Sequence, residues 1–302
     1  MGRKLLIGVI SFTFLIIGSL VGVTWWIENQ FFDLLNRNPE RAYDITYEDL
    51  DLNLFLKGVS LQNAKITPLN VADTVTQVQG TLDHIEVNGI MWGAFLLQKK
   101  AIIGELAFIN PEFSINVVEA KNKQKTHKIK PLQMLFGDIL KRGEIHSFRL
   151  VGGTAVTTRA KDSVVIANVH NLKIIAIDIQ TDSIQVKNLI PFKLAELNTS
   201  LDSSSFVLND YTELTTGLIS YNSATSDLEL NNIDMAFTKD RLAVSDIVGK
   251  QVDLIEAKIK RLKISQLEAG SDFYSDVRIL AGSISIDGLL LNDFRDKNKQ
   301  RP

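Results

Sequence analysis

The sequence predicts a mainly-β protein: a long curved antiparallel sheet forming an apolar groove, with one short amphipathic helix, preceded by a single N-terminal transmembrane helix. Three observations predict it. Apolar and polar residues alternate in short runs from Tyr43 almost to the end of the chain, the period of half-buried strands. Helical periodicity is strong over only one stretch of that region. Ahead of it, Leu5 to Ile27 form a charge-free apolar run of 23 residues, LLIGVISFTFLIIGSLVGVTWWI.

That run is long enough to cross a bilayer, which needs about 20 residues. Trp25 and Trp26 close it at the interface, and Arg3 and Lys4 precede it. It exceeds the 7–15 residues of a signal-peptide core and no A-x-A site follows, so an uncleaved anchor is expected. The four-residue tail stays in the cytoplasm and the bulk of the chain lies on the other side. Phe31, Phe32, Leu34 and Leu35 make residues 28–42 an amphipathic juxtamembrane segment, ended by Pro39. Residues 43–302 form the β domain.

The chain has 302 residues, 45% hydrophobic and 23% charged, which suits a folded protein. A net charge of −2 offers no basic face to nucleic acid, which is therefore not an expected partner. Cysteine is absent, which removes disulfides, thiolate metal sites and cysteine nucleophiles together.

Within the β domain, Leu50, Leu52, Leu54 and Leu56 alternate with polar residues and Phe55. Further strand runs are read over Thr81–Val87, Ala101–Phe108, Phe113–Val118, Glu144–Val151, Ala155–Thr158, Val164–Ile179 and Ser183–Leu194. Later ones cover Ser205–Leu208, Leu214–Tyr221, Asp227–Phe237, Gln251–Leu267, Phe273–Leu280 and Ser283–Leu291. The helix opens at Pro131, lines one face with Leu132, Leu135, Phe136, Ile139 and Leu140, and closes at Gly143. Arg241–Val248 reads as a second, short helix. Asn198-Thr199-Ser200 matches a glycosylation sequon and is read as a turn.

One irregularity recurs. In GVSLQNAK (58–65), Val59 and Leu61 alternate correctly, but Ala64 and Ile66 fall on the opposite parity. Equivalent two-residue steps occur at Asn88-Gly89, His170-Asn171, Lys187-Asn188, Asn231-Asn232 and Asp287-Gly288, and each holds an asparagine or a glycine. A bulge with Gly or Asn in the left-handed region, or a two-residue hairpin turn, would return the flanking apolar side chains to one face. The sequence thus corrects its phase to keep one sheet face continuously apolar.

A sandwich or barrel would bury such a face. The other solution is an open trough; about 15 strands at 4.7–4.9 Å spacing would make one roughly 70 Å long. The groove-facing positions are then Leu50, Leu52, Leu54, Val59, Leu61, Ile66, Ile85 and Val87, suited to acyl chains because apolar surface removed from water is worth about 25 cal/mol per Å².

The membrane helix, the amphipathic stretch and YDITYEDLDLNLFLKGVSLQNAKITP (43–68), followed by PLQMLFGDILKRG and EIHSFRLVGGTAVTT (131–143 and 144–158), resemble the start of AsmA-like proteins of the bacterial envelope. The resemblance implies an inner-membrane single-pass anchor, a periplasmic repeating β-groove related to bridge-like lipid transfer proteins, phospholipid as ligand, and a role in phospholipid transport or envelope homeostasis. It also allows other envelope proteins as partners. A non-enzymatic scaffold with a closed sandwich core is the other reading.

No catalytic residue, metal or cofactor is expected. Tyr47, Glu48, Asp49 and Asp51 read as a solvated strand face rather than a metal site, since Leu50 and Leu52 face the core. His84, His127, His146 and His170 lack metal-ligand spacing, and no nucleophile elbow or phosphate loop is present. Lys121, Lys123, Lys125, Lys128 and Lys130 read as a solvated connection, or else as contacts to anionic headgroups or a partner. The tail cations Arg295, Lys297, Lys299 and Arg301 are read in the same two ways.

Overall fold

The computed structural model describes residues 43–53, 58–69, 77–94, 101–118, 143–179, 194–272 and 276–300. The expected transmembrane helix (5–27), the amphipathic segment (28–42), the helix at 131–143, Leu54, the five lysines of 121–130, Arg301 and nearly all of the 183–194 run lie outside the described residues. No helix among the described residues is long and apolar enough to cross a membrane.

The chain is mainly β. One sheet contains β1 (Tyr43–Thr46), β2 (Asp49–Asn53), β3 (Gly58–Pro68), β4 (Gln77–Asn88), β5 (Ala101–Ile109), β6 (Glu112–Val117), β7 (Gly143–Arg159) and β8 (Val165–Ile179). It continues through β9 (Glu196–Leu201), β10 (Ser203–Asn209), β11 (Thr212–Thr216), β12 (Ile219–Asn222), β13 (Asp227–Phe237), β14 (Leu254–Ser265) and β17 (Ser283–Phe294). β15 (Glu268–Asp272) and β16 (Asp276–Leu280) pair with each other and prolong the β14–β17 hairpin.

Several of these fifteen strands are two halves of one. β1 and β2 both pair with β3, β5 and β6 both lie between β4 and β7, and β9 with β10 and β11 with β12 share neighbours in the same way. The sheet therefore has eleven ladder positions, and at the usual interstrand spacing it is roughly 50 Å across rather than 70. It is also not wholly antiparallel, because β5 and β6 run parallel to β7. A parallel pair cannot be joined by a tight hairpin and requires a longer crossover connection.

The two-residue steps explain the interruptions. Asn63, Gly89, Asn171, Asn232 and Gly288, the second residues of five predicted steps, all have positive φ, between 49° and 70°; Asn188 lies outside the described residues. The steps are not hairpin turns. Between β7 and β8 the register shifts on either side of Gly153, as at a bulge, and recovers by Ala155↔Val169. In β3–β4 and β14–β17 it passes straight through: Gln62↔His84 continues to Ala64↔Leu82, and Arg261↔Asp287 to Ile259↔Leu289. It does so because each neighbouring strand takes the same step opposite.

The steps thus align into one line across the whole sheet, through Asn63, Asp83, Asn110, Gly152, Asn171, Asp202, Leu218, Asn232, Lys260 and Gly288. Asn110 (φ 48°) and Gly152 (φ 73°) were not singled out by the sequence pattern. Asparagine side chains tie the line together: Asn63 donates to Glu48 (2.6 Å), Asn110 to Asp83 (2.8 Å) and Asn171 to Asp202 (2.6 Å). Asparagine suits the position because it tolerates the left-handed region and its amide reaches across to the next strand.

A second line runs about six residues, or roughly 20 Å, from the first. It passes Gly89, Gly104, His146 and Asp178 (φ 52°), and reappears at Ser226 (φ 54°), Gln266 (φ 55°) and Gly282.

Two expectations change here. Glu144–Val151 and Ala155–Thr158 are one strand, β7, which takes its step at Gly152 and Gly153. Asn198-Thr199-Ser200 is not a turn but part of β9, paired with both β8 and β12. Its short side chains hide an alternation carried by Leu197, Thr199 and Leu201.

The short helix α1 (Arg241–Val248) forms as read. Asp240 caps it by accepting from the amides of Leu242 and Ala243, and Gly249 (φ 73°) ends it.

Gly152 carries the clearest stability test. A Cβ there would lie 2.1 Å from Asn110 Oδ1 and would also be strained at φ 73°. Gly152→Ala is expected to cost about 1–3 kcal/mol, read as a lower denaturation midpoint. Gly93→Ala, where nothing lies within 4 Å, should change stability by less than about 0.5 kcal/mol.

Candidate functional site

One face of the sheet is apolar from edge to edge. Following the register, a single row runs Leu50, Leu61, Ile85, Phe108, Leu150, Ile174, Thr199, Tyr221, Leu228, Ile264, Ile284, with Thr199 its one short polar side chain. A second row, Leu52, Val59, Val87, Leu106, Phe148, Ala176, Leu197, lies beside it. Beyond the first step line the same face carries Ala64, Ile66, Leu82 and Phe113. Gly80 leaves the space that Phe113 fills, since a Cβ there would meet its ring at 2.6 Å.

The face has two regimes. From β1 to β8 it is filled: Val59, Leu61, Ile66, Ile85 and Val87 are only 1–6% exposed and belong to one cluster with Leu106, Phe108 and Leu150. Phe108 and Phe148 meet edge to face with centroids 5.3 Å apart. Leu50 and Leu52 pack against this cluster, half-buried. The expected groove-facing residues that are described therefore share one face, but at its closed end.

From β13 to β17 the face opens. Ile259, Leu262 and Ile264 are half-buried, Ile255 is 46% exposed, and Ile284, Ile286, Leu289 and Leu291 are 51–62% exposed. Sequence pattern alone did not separate these from the buried set, because both follow the same alternation. The midpoint between the regimes holds a buried polar pair, Ser204 and Thr216, whose hydroxyls bond at 2.7 Å.

Helix α1 does not cover the open end. Val244 is fully buried, and Leu254, on the opposite, polar face of β14, is buried as well. Arg241 pairs with Glu256, Ser245 Oγ donates to Asp296 Oδ2 (3.1 Å), and Lys299 Nζ meets Asp246 (2.5 Å). Arg295 forms a two-pronged pair with Asp253. Two of the four tail cations, Arg295 and Lys299, are thus tied to the protein itself.

The polar face is held by cross-strand charges. Lys258 Nζ meets Asp234 at 2.8 Å and Lys263 Nζ meets Asp227 at 2.9 Å, while Arg149 bridges Glu86 and Glu105. The hydrogen bond from Lys263, helped by Ser265, holds the Asp227 carboxyl below the usual carboxylate range. The hydrogen bond to Asp234 raises the Lys258 ammonium above its ordinary value. Glu48 and Asp51 accept from Asn63 and Gln62, so the acidic run at 48–51 serves the polar face. Among the described residues no group of three or more His, Cys, Asp or Glu is placed to hold a metal.

The chain matches no protein-family model, and no curated protein sequence matches it.

The Arg295–Asp253 pair makes a pH prediction. Its hydrogen bonds hold the Asp253 carboxyl below the usual carboxylate range. A depressed folded pKa contributes stability in full above the unfolded value, about 4, and loses it as pH falls through the folded value. Arg295→Gln should therefore lower the stability plateau above about pH 4 by a small amount, as for an exposed pair, flatten the acid limb below it, and converge with the parent at the acid end, where the carboxyl is protonated in both. Denaturant titrations from pH 2 to 7 would show it; identical acid limbs would mean that the pair contributes nothing there.

Proposed function

We propose that this protein holds acyl chains on its apolar face, as a membrane-anchored, non-enzymatic carrier or conduit for phospholipid. The observation that carries the reading is the contrast along one face: a continuous apolar surface sealed against water from β1 to β8 but exposed from β13 to β17, with α1 on the other side. Two step lines about 20 Å apart, with left-handed residues at matching places on neighbouring strands, would bend the sheet about axes crossing its strands and make that face concave. Fully burying each of Ile284, Ile286, Leu289 and Leu291 would be worth roughly 1.5–3 kcal/mol.

The charge-free run at 5–27 would tether the carrier to a bilayer. The AsmA-like resemblance supports the bacterial inner membrane and periplasm as its setting, with transport or envelope homeostasis as the role. The competing reading, a scaffold with a closed sandwich core, draws on the filled β1–β8 end. It is disfavoured by the absence, among the described residues, of a second sheet to pack on β13–β17; the only other sheet is the β15–β16 extension.

Full-length protein extracted in mild detergent should carry phospholipid in native mass spectrometry. A photoreactive residue at Leu262 should capture lipid, whereas one at Leu61 should capture only neighbouring protein. A lipid-free protein whose Leu262 probe labels only the chain itself would sink the carrier reading in favour of the scaffold.

A further inference from the structure

Among the described residues the long strand β17 is an edge of the sheet. It pairs with β14 along its entire length, from Leu254↔Phe294 to Ser265↔Ser283, and has no partner on its other edge among the described residues. Sheets usually protect such an edge with proline, lysine or a short strand. β17 is twelve residues long and contains neither proline nor lysine.

The step line adds a condition that few edges impose. Where antiparallel strands cross it, the second residue of one step faces the first residue of the other: Gly288 lies opposite Lys260, with Arg261 opposite Asp287. A strand added to β17 must carry a step of its own in matching place. Otherwise its apolar side chains leave the face after two residues.

We propose that the strand that fits is β17 of a second copy, paired antiparallel about a two-fold axis at the step. Setting Gly288 opposite Asp287 of the other copy satisfies the rule in both directions at once. Every other pair follows: Ile286 faces Leu289, Ile284 faces Leu291, and Ser285 faces Leu290. A regular antiparallel strand could not pair with itself this way, because residues of opposite parity point to opposite faces. The phase change at Asp287-Gly288 is what puts Ile286 and Leu289 on the same face.

The pairing makes one apolar face out of two and flanks Ile284, Ile286, Leu289 and Leu291, the more than half-exposed side chains that β17 contributes to that face. Ten paired strand residues a side bury roughly 1,000 Å² in total, the lower bound for a specific interface, so association is in the reversible range. One contact opposes it. The two Asp287 carboxylates approach each other beside the axis, and like charges across a strand pair are destabilising. Assembly of this kind does not depend on what the apolar face binds.

The absence of cysteine makes the register directly testable in the full-length chain in detergent. Ile286→Cys and Leu289→Cys are made separately, mixed, and oxidised. The mixture should yield a disulfide dimer, whereas each variant alone should yield little, because identical positions are three residues out of register, roughly 10 Å apart along the strand. Asp287→Asn, an exposed change, should increase the dimer fraction in light scattering. Leu289→Lys should abolish it with an unchanged far-ultraviolet circular dichroism spectrum.

No dimer in the mixture, or equal crosslinking in every sample, would overturn the pairing. So would a fluorophore on the thiol of the Ile286→Cys variant that shifts to the blue with phosphatidylethanolamine–phosphatidylglycerol vesicles while no crosslink forms, which would assign the edge to a membrane instead.

Discussion

The structure depends on one constraint: a strand that changes the parity of its side chains keeps its register with its neighbours only if they change at the same place. The step at Gln62-Asn63 would throw Ala64 and Ile66 to the wrong face if β4 did not take its own step between Leu82 and Ile85. That requirement passes from strand to strand and ends at Gly288 on β17. It accounts for the positive φ values inside strands, for the division of several strands into halves, and for the Asn-to-carboxylate bonds that cross the line. Left-handed backbone is costly for residues other than glycine, so asparagine and glycine recur there.

The consequence is a face that remains apolar over eleven ladder positions with no second sheet packed on it among the described residues. Its two ends then differ in what covers them. At the β1–β8 end Leu61 and Ile66 are buried in one cluster with large side chains of β4, β5 and β7, and the parallel junction with β7 brings Phe148 against Phe108. At the β13–β17 end the aliphatic residues stand half-covered, while α1, the β14 start and residues 295–300 gather on the polar face. The proposed functions belong to this asymmetry: the exposed end is where acyl chains or another copy would replace water.

The polar face plays a supporting part. Its ion pairs lie between neighbouring strands and are mostly exposed, so each contributes little to stability. Their value is in alignment, since Lys258 with Asp234 and Lys263 with Asp227 fit only one register of β13 against β14. The same holds for Arg295, which anchors the chain after β17 to Asp253.

Much of this was legible in the sequence. Local alternation located most strands, because the two-residue period depends only on which side chains avoid water, and the steps were visible because Asn and Gly mark positions that other residues enter at a cost. Asp240 and Gly249 bracket α1 for equally local reasons. The tertiary structure alone decided that the steps line up, that β5 and β6 run parallel to β7, that the polar stretch at 198–200 is a strand, and that Leu61 is sealed while Leu289 is open. Those outcomes rest on which strands become neighbours and on what lies over each face. Both are set by contacts between residues far apart in the chain, and identical alternation in β3 and β17 carries no trace of them.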